Sequence, residues 1–326
     1  MSVPADIDGS GAGPLGRLAL SRSAVDRATQ RRSDAAWIEA AWADPRTRVV
    51  VVHASQALGR TIDGRPELVF ASTAEAPEGT RFFLGVDDDE VCYFGVSAAA
   101  EAEAWAWASE PDAKPISLRL AGALLSDRDA GLLTHAIALA NWHDTHTHCP
   151  RCGAATIPAP AGHITVCPVD GTEHFPRLDP AVIMLVTDPD DRCLLARNAL
   201  WPKGRMSVLA GFVEPGESAE HAVVREVFEE SSIVVGQVRY LGSQPWPMPR
   251  SLMLGYQAVA AAGQSIAVDE EEIGEARWFT RAEMREAIDS GELGVAPSSS
   301  IARRLIEFWY GAELPDGSAG WTAPAR

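Results

Sequence analysis

Short apolar runs and helical stripes alternate along this chain, and each switch of period marks an element. Arg48–His53 (RVVVVH) and Glu67–Ser72 predict strands, and Arg81–Val86 and Val91–Val96 predict a hairpin turning at Asp87-Asp88-Asp89. Before them, Ser33 is placed to cap a short helix carrying Trp37, Ile38 and Trp42, which Asp44-Pro45 ends. A helix over Asp127–Trp142 closes this α+β segment, with His135 and His143 expected to be packing or surface histidines. Farther on, Ala181–Thr187 and Cys193–Arg197 predict strands around the turn Asp188–Asp191, followed by strands near Val234–Leu241 and Leu252–Val259. Thr280 and Glu283 form a capping box that opens one helix. Ile301–Tyr310 predicts another, with Leu305, Ile306 and Trp309 on its apolar stripe.

One helical stripe is acidic instead of apolar. In GFVEPGESAEHAVVREVFEESSI, from Gly211 to Ile233, Glu226, Glu229 and Glu230 stand at i, i+3 and i+4, so a helix gathers their carboxylates on one face. Like charges that close repel, and a divalent cation relieves them; an all-oxygen ligand set suits Mg²⁺ or Mn²⁺. The plainer reading is a solvated acidic face. Against it, Val223, Val224, Val227 and Phe228 supply an apolar side, and Gly211 and Pro215-Gly216 build a tight loop before the helix.

The segment resembles the Nudix box, G-x5-E-x7-R-E-(apolar)-x-E-E-x-G-(apolar), through Gly211, Glu217, Arg225, Glu226, Val227, Glu229, Glu230 and Ile233. Ser232 stands where that family has glycine. A left-handed residue is common after a helix, so Ser232 should cost about 1 kcal/mol or less and remove no metal ligand. By this resemblance Glu226, Glu229 and Glu230 bind metal, Glu230 activates water, and Arg225 pairs with Glu217 to orient the loop. Glu272, in the run Asp269–Glu275, either matches a downstream glutamate that reaches the metals or belongs to a solvated acidic loop.

Composition narrows the partners. The chain of 326 residues carries a formal charge of −17, which argues against a dedicated polyanion binder, so a phosphate-bearing substrate must be held by metal and local cations. No apolar run reaches the length of a membrane span, and no secretory signal is evident at Met1–Gly16. Five cysteines without an export signal favour a reducing cytoplasm. Cys92 and Cys193 lie in apolar strands and are expected in the core. Cys149-x2-Cys152 followed by Cys167 resembles a zinc ribbon, with Asp170 where a fourth cysteine would stand. Asp170 is the expected fourth ligand, His174 and His163 are alternatives, and a ribbon folding without metal is the competing possibility.

Downstream of the box, Ser243-Gln-Pro-Trp-Pro-Met-Pro-Arg-Ser251 resembles the S-Q-P-W-P-F-P-x-S motif of the NADH diphosphatases, with Met248 in place of Phe. The three prolines predict an extended, preorganised segment that presents Trp246 to a flat ring. The resemblance implies metal-dependent hydrolysis of NADH or NAD to AMP and nicotinamide mononucleotide, and allows removal of the same dinucleotide from the 5′ end of RNA. It assigns Phe212, Gln244, Trp246, Ser251 and Ala302 to substrate, and Phe175 to the neighbouring site of a homodimer. Rival expectations are hydrolysis of ADP-ribose or a dinucleoside polyphosphate, and a non-catalytic nucleic-acid-binding module built on the ribbon. The implied fold is an N-terminal α+β domain over 1–145, a zinc-ribbon motif over 146–177, and an α-β-α sandwich over 178–314. The first 22 residues and the tail 315–326 are expected to be loose.

Overall fold

The computed structural model describes residues 13–315, so most of the expected tail lies outside the described residues. Two compact units emerge. The first comprises Leu20–Leu178 together with Pro245–Arg250; the second comprises the segment ending at Ala19, then Asp179–Gln244 and the chain from Ser251 onward.

In the first unit a six-stranded sheet runs in the order β3 (Arg65–Leu68), β2 (Gln56–Ile62), β1 (Arg48–His53), β5 (Cys92–Ala98), β4 (Gly79–Val86), with β6 (Lys114–Ser117) also paired to β2. Strands β1 and β5 are parallel, and the expected β4–β5 hairpin forms. Val49 and Val51 of β1 pack with Phe83, Phe94 and Ile38, the last on α1 (Ala35–Ala43). The N-cap of α1 is Asp34, one residue past the expected Ser33: its carboxylate accepts from the Trp37 N–H at 3.0 Å. Two short helices follow, α2 (Glu101–Trp105) and α3 (Leu118–Ala121), before α4 (Asp127–Thr145), which Ser126 caps. Three two-residue strands, β7 (Ile157–Pro158), β8 (Thr165–Val166) and β9 (Glu173–His174), make the ribbon.

In the second unit the order is β13 (Val235–Trp246), β14 (Ser251–Ala260), β10 (Asp179–Thr187), β11 (Cys193–Asn198), β15 (Ile273–Phe279), with β12 (Leu209–Phe212) added to β10. Strand β10 runs parallel to β14 and antiparallel to β11 and β12. Its alternation sets the layers. Val182, Met184 and Val186 face a core with Ala222, Val223 and Val227 of α5 (Ala219–Ser231). Ile183 and Leu185 face another with Met284 of α6 (Arg281–Asp289) and Ile301, Leu305 and Ile306 of α7 (Ile301–Tyr310). The α-β-α sandwich follows from one strand covered on both faces.

The expectation of a loose start is corrected within residues 13–22. Leu15 and Leu18 are buried in the second unit's core, and Leu20 is buried as well. Three leucines spaced by three and then by two, among glycines and prolines, sustain neither a helical nor a strand period, so their burial was not legible. None of the helices among the described residues is long and apolar enough to cross a membrane.

Three imidazoles fasten α4 inside the first unit. His143 Nε2 lies 2.7 Å from Gly162 O and His163 Nε2 lies 2.7 Å from Phe83 O, while the His135 ring sits tilted against His163 with centroids 5.2 Å apart. Burial lowers all three from the usual imidazole value, His163 to about 4. Each therefore takes up a proton more readily when unfolded. Their contribution is complete above the unfolded value of about 6.5 and shrinks as pH falls toward the folded values. Glu230, whose folded value is raised, acts in the opposite direction in the second unit. We predict that the urea midpoint of the first unit's transition falls between pH 7 and pH 5, and falls less in His163→Gln. Equal pH dependence in both proteins would contradict this.

Candidate active site and metal centre

Helix α5 begins where Ser218 accepts a hydrogen bond from the His221 N–H, and ends at Ser232, whose φ of 57° is left-handed. Serine thus occupies the conformation for which glycine is better suited. The amphipathic helix buries Val223 and Val227 and turns its carboxylates toward β12 and the loop from Val213 to Glu217.

Arg225 organises this acidic ground. Its guanidinium grips Glu217 with two bonds (2.9 and 2.8 Å), donates to Glu226 at 2.8 Å and Glu229 at 2.9 Å, and reaches Phe212 O at 2.9 Å. The Arg225 bonds hold the Glu217 carboxyl down to about 2, while its three carboxylate partners push the guanidinium upward. Three anions and a backbone carbonyl on one fork fix the loop against the helix.

Glu230 lies beyond the reach of this fork. Burial, followed by the fields of Glu226 and Glu272, pushes its carboxyl up to about 8. The Ala210 N–H bonds to it, yet its buried Oε2 has no partner. Glu226 is raised as well, by burial first, against the pull of Arg225. A Cβ at Gly211 would overlap the Glu226 carboxylate, so the strand passes the helix at a distance only glycine permits. Glu272 enters just before β15, with its carbonyl accepting from Ala199 N–H at 2.8 Å, near enough to act on both Glu226 and Glu230. Crowded carboxylates with an orphaned buried oxygen fit a divalent cation.

The remaining expected contacts are more dispersed. Phe212 is 59% exposed and Ser251 is half-buried at the start of β14. Gln244 is fully buried, and its Nε2 donates to Ser299 O at 3.0 Å, so it supports the approach to α7 from inside the core. Ala302 is buried in the first turn of α7, with its N–H donating to Ser300 Oγ at 3.2 Å. Trp246 is half-buried and belongs to the first unit, as does Phe175, which is 61% exposed. Sequence reasoning missed the Phe212 carbonyl as a partner of Arg225, because a backbone acceptor leaves no mark in residue type.

In the ribbon, two similar turns face one another. Gly153 N–H donates to Cys149 O at 2.9 Å and Gly171 N–H donates to Cys167 O at 2.9 Å, each glycine having positive φ. Asp170 therefore takes the place in the second turn that Cys152 takes in the first. One ligand atom from each of Cys149, Cys152, Cys167 and Asp170 lies within 4.8 Å of the others, a set able to hold a metal ion. Burial works against the Cys149 thiolate, but N–H groups of Arg151 and Cys152 outweigh it and lower its thiol to about 7. His163 is engaged by Phe83 O, whereas His174 borders Cys149 and keeps a buried Nε2 without a partner.

Three family models match in sequence order: an NADH pyrophosphatase-like rudimentary Nudix domain over residues 46–142, an NADH pyrophosphatase zinc ribbon over 144–175, and a Nudix domain over 177–297. The chain is thus a Nudix hydrolase, of the class that uses divalent metal. A relative called NAD-capped RNA hydrolase NudC in Mycobacterium bovis is 41% identical over 311 residues, covering 90% of this chain and 95% of its own. Its counterpart in Mycobacterium tuberculosis is 41% identical with the same coverage. NAD-capped RNA hydrolase NUDT12 of Macaca fascicularis is 44% identical over 197 residues, covering 57% of this chain and 42% of its own. The chain belongs to the NADH pyrophosphatase family of Nudix hydrolases.

A side chain at Gly211 must displace Glu226 from the cluster. Gly211→Ala should lower hydrolytic turnover about tenfold or more while the protein remains folded, by the sensitivity of catalysis to small misplacements. Unchanged turnover with a circular-dichroism spectrum like that of the parent would show that the close approach has no catalytic consequence.

Proposed function

We propose that this protein hydrolyses the diphosphate of NADH and NAD to AMP and nicotinamide mononucleotide, and removes the same dinucleotide from the 5′ end of RNA. The observation that carries the proposal is the buried, unpartnered Glu230 oxygen amid Glu226 and Glu272, in a chain similar over most of its length to NAD-capped RNA hydrolases. Glu226, Glu229, Glu230 and Glu272 would hold Mg²⁺ or Mn²⁺. When bound, such an ion neutralises phosphate oxygens and polarises phosphorus toward attack.

The chain's own groups do the rest. Glu230, kept ionised once the cation relieves its neighbours' charge, accepts the proton of the attacking water. Arg225 keeps Glu217, Glu226 and the loop in register without touching substrate. Phe212 and Trp246 offer faces to the nicotinamide, Ser251 lines that end, and the buried Gln244 and Ala302 brace it from behind. Stacking at roughly 1–3 kcal/mol per ring anchors one half of the dinucleotide and leaves the adenosine end free to continue into RNA. The charge of −17 means that the RNA body itself adds little affinity. We further propose a homodimer in which Phe175 serves the neighbouring site, and a reducing cytoplasmic setting consistent with the five free thiols.

Glu230→Gln, which preserves size, should reduce NADH turnover in Mg²⁺ by about 10²-fold or more with the fold intact. Near-normal turnover would remove Glu230 from its assigned role.

For the ribbon we propose structural zinc held by Cys149, Cys152, Cys167 and Asp170. Protein purified without chelator should contain close to one zinc per chain, and Asp170→Ala should release it more readily. Loss of zinc in His174→Ala but not in Asp170→Ala would make His174 the fourth ligand.

A further inference from the structure

The Ser243–Ser251 motif contains a segment that cannot secure itself. Pro245, Pro247 and Pro249 lack N–H groups, so Pro245–Arg250 can build little backbone ladder of its own, and its carbonyls need donors from elsewhere. Those donors come from the rudimentary N-terminal domain, which shares a compact unit with this segment. Asn141 on α4 directs Nδ2 at Pro247 O (2.7 Å) and Pro249 O (3.2 Å). Carbonyls only accept, so the amide nitrogen must face them, and Asn141 Oδ1 is left to accept from Ser55 Oγ at 3.2 Å. Pro247 is buried, which makes the donated bond costly to lose. On the neighbouring α3, Arg119 lies over the Trp246 ring with its guanidinium carbon 5.3 Å from the centroid, and burial lowers its pKa.

We propose that Asn141 and Arg119 are positioning residues for the dinucleotide: the N-terminal domain fixes the proline loop through Asn141 and the Trp246 ring through Arg119, and so determines affinity for the nicotinamide end. The proposal rests on the reading of Trp246 as a nicotinamide-facing ring. It gives the N-terminal domain, which contributes no metal-binding carboxylate, a specific part in recognition. Neither residue stands out in the sequence, since Asn141 and Pro247 are separated by 106 positions.

The test uses the full chain in Mg²⁺ with NADH, measuring kcat and KM separately, alongside amide hydrogen exchange at Trp246, Met248 and Arg250. Asn141→Asp is nearly isosteric but turns a carboxylate oxygen toward two carbonyls. It should raise KM for NADH about tenfold, keep kcat within about twofold, and speed exchange in the loop about tenfold. Arg119→Met should raise KM in the same sense, and it decides the question if Asn141→Asp fails to fold. A merely structural role would lower thermal stability and leave KM and loop exchange unmoved; that result overturns the proposal. If the parent protein does not cleave NADH, the functional reading fails, and loop exchange then judges the anchoring alone: unchanged exchange in both variants overturns it.

Discussion

The interaction on which the catalytic unit depends is the Arg225 guanidinium set among Glu217, Glu226, Glu229 and the Phe212 carbonyl. Without it, a helix face with three glutamates would stand beside a fourth on the loop, and their repulsion would drive loop and helix apart. One planar cation with several donors satisfies both elements at once, a geometry that lysine could not supply. The same arrangement leaves Glu230 out. It remains buried and raised, with one carboxylate oxygen short of a partner, and the proposed metal chemistry rests on that deficit. Structural order and catalytic tension thus come from how one cation is divided among several acids.

A second constraint places that helix. Strand β10 is apolar on both faces, so it must be covered twice, by α5 on one side and by α6 and α7 on the other. Strand β12 pairs with β10 through Ala181↔Phe212 and Val182↔Gly211, which brings the glycine beneath Glu226. The packing that stabilises the sandwich is therefore the packing that sets the distance between loop and carboxylates.

Much of this was legible in the residues, for physical reasons. Helical spacing of Glu226, Glu229 and Glu230, the placing of Asp170 after Cys167 as Cys152 follows Cys149, and the Thr280–Glu283 capping box are local patterns, and local patterns survive folding. Ser232 adopts the left-handed conformation its place in the box implied. What escaped depends on distant chain or on backbone atoms. Strands β2, β12 and β15 lack a clean apolar period and are specified by their neighbours. Leu15 and Leu18 are buried by a core assembled far downstream. Gln244, which the motif assigned to substrate, is turned inward to Ser299, because a motif records residue type and not side-chain direction. Asn141 serves carbonyls that no sequence pattern reports.

The central claim is that a carboxylate cluster short of cations makes this chain a hydrolase of the dinucleotide's diphosphate. The most direct measurement is product analysis by mass spectrometry after incubating the purified protein with NADH, with Mn²⁺ or with excess chelator. The account predicts AMP and reduced nicotinamide mononucleotide in equal amounts with the metal, and neither with the chelator. Release of free nicotinamide with ADP-ribose, or the same products at undiminished rate in chelator, would contradict it.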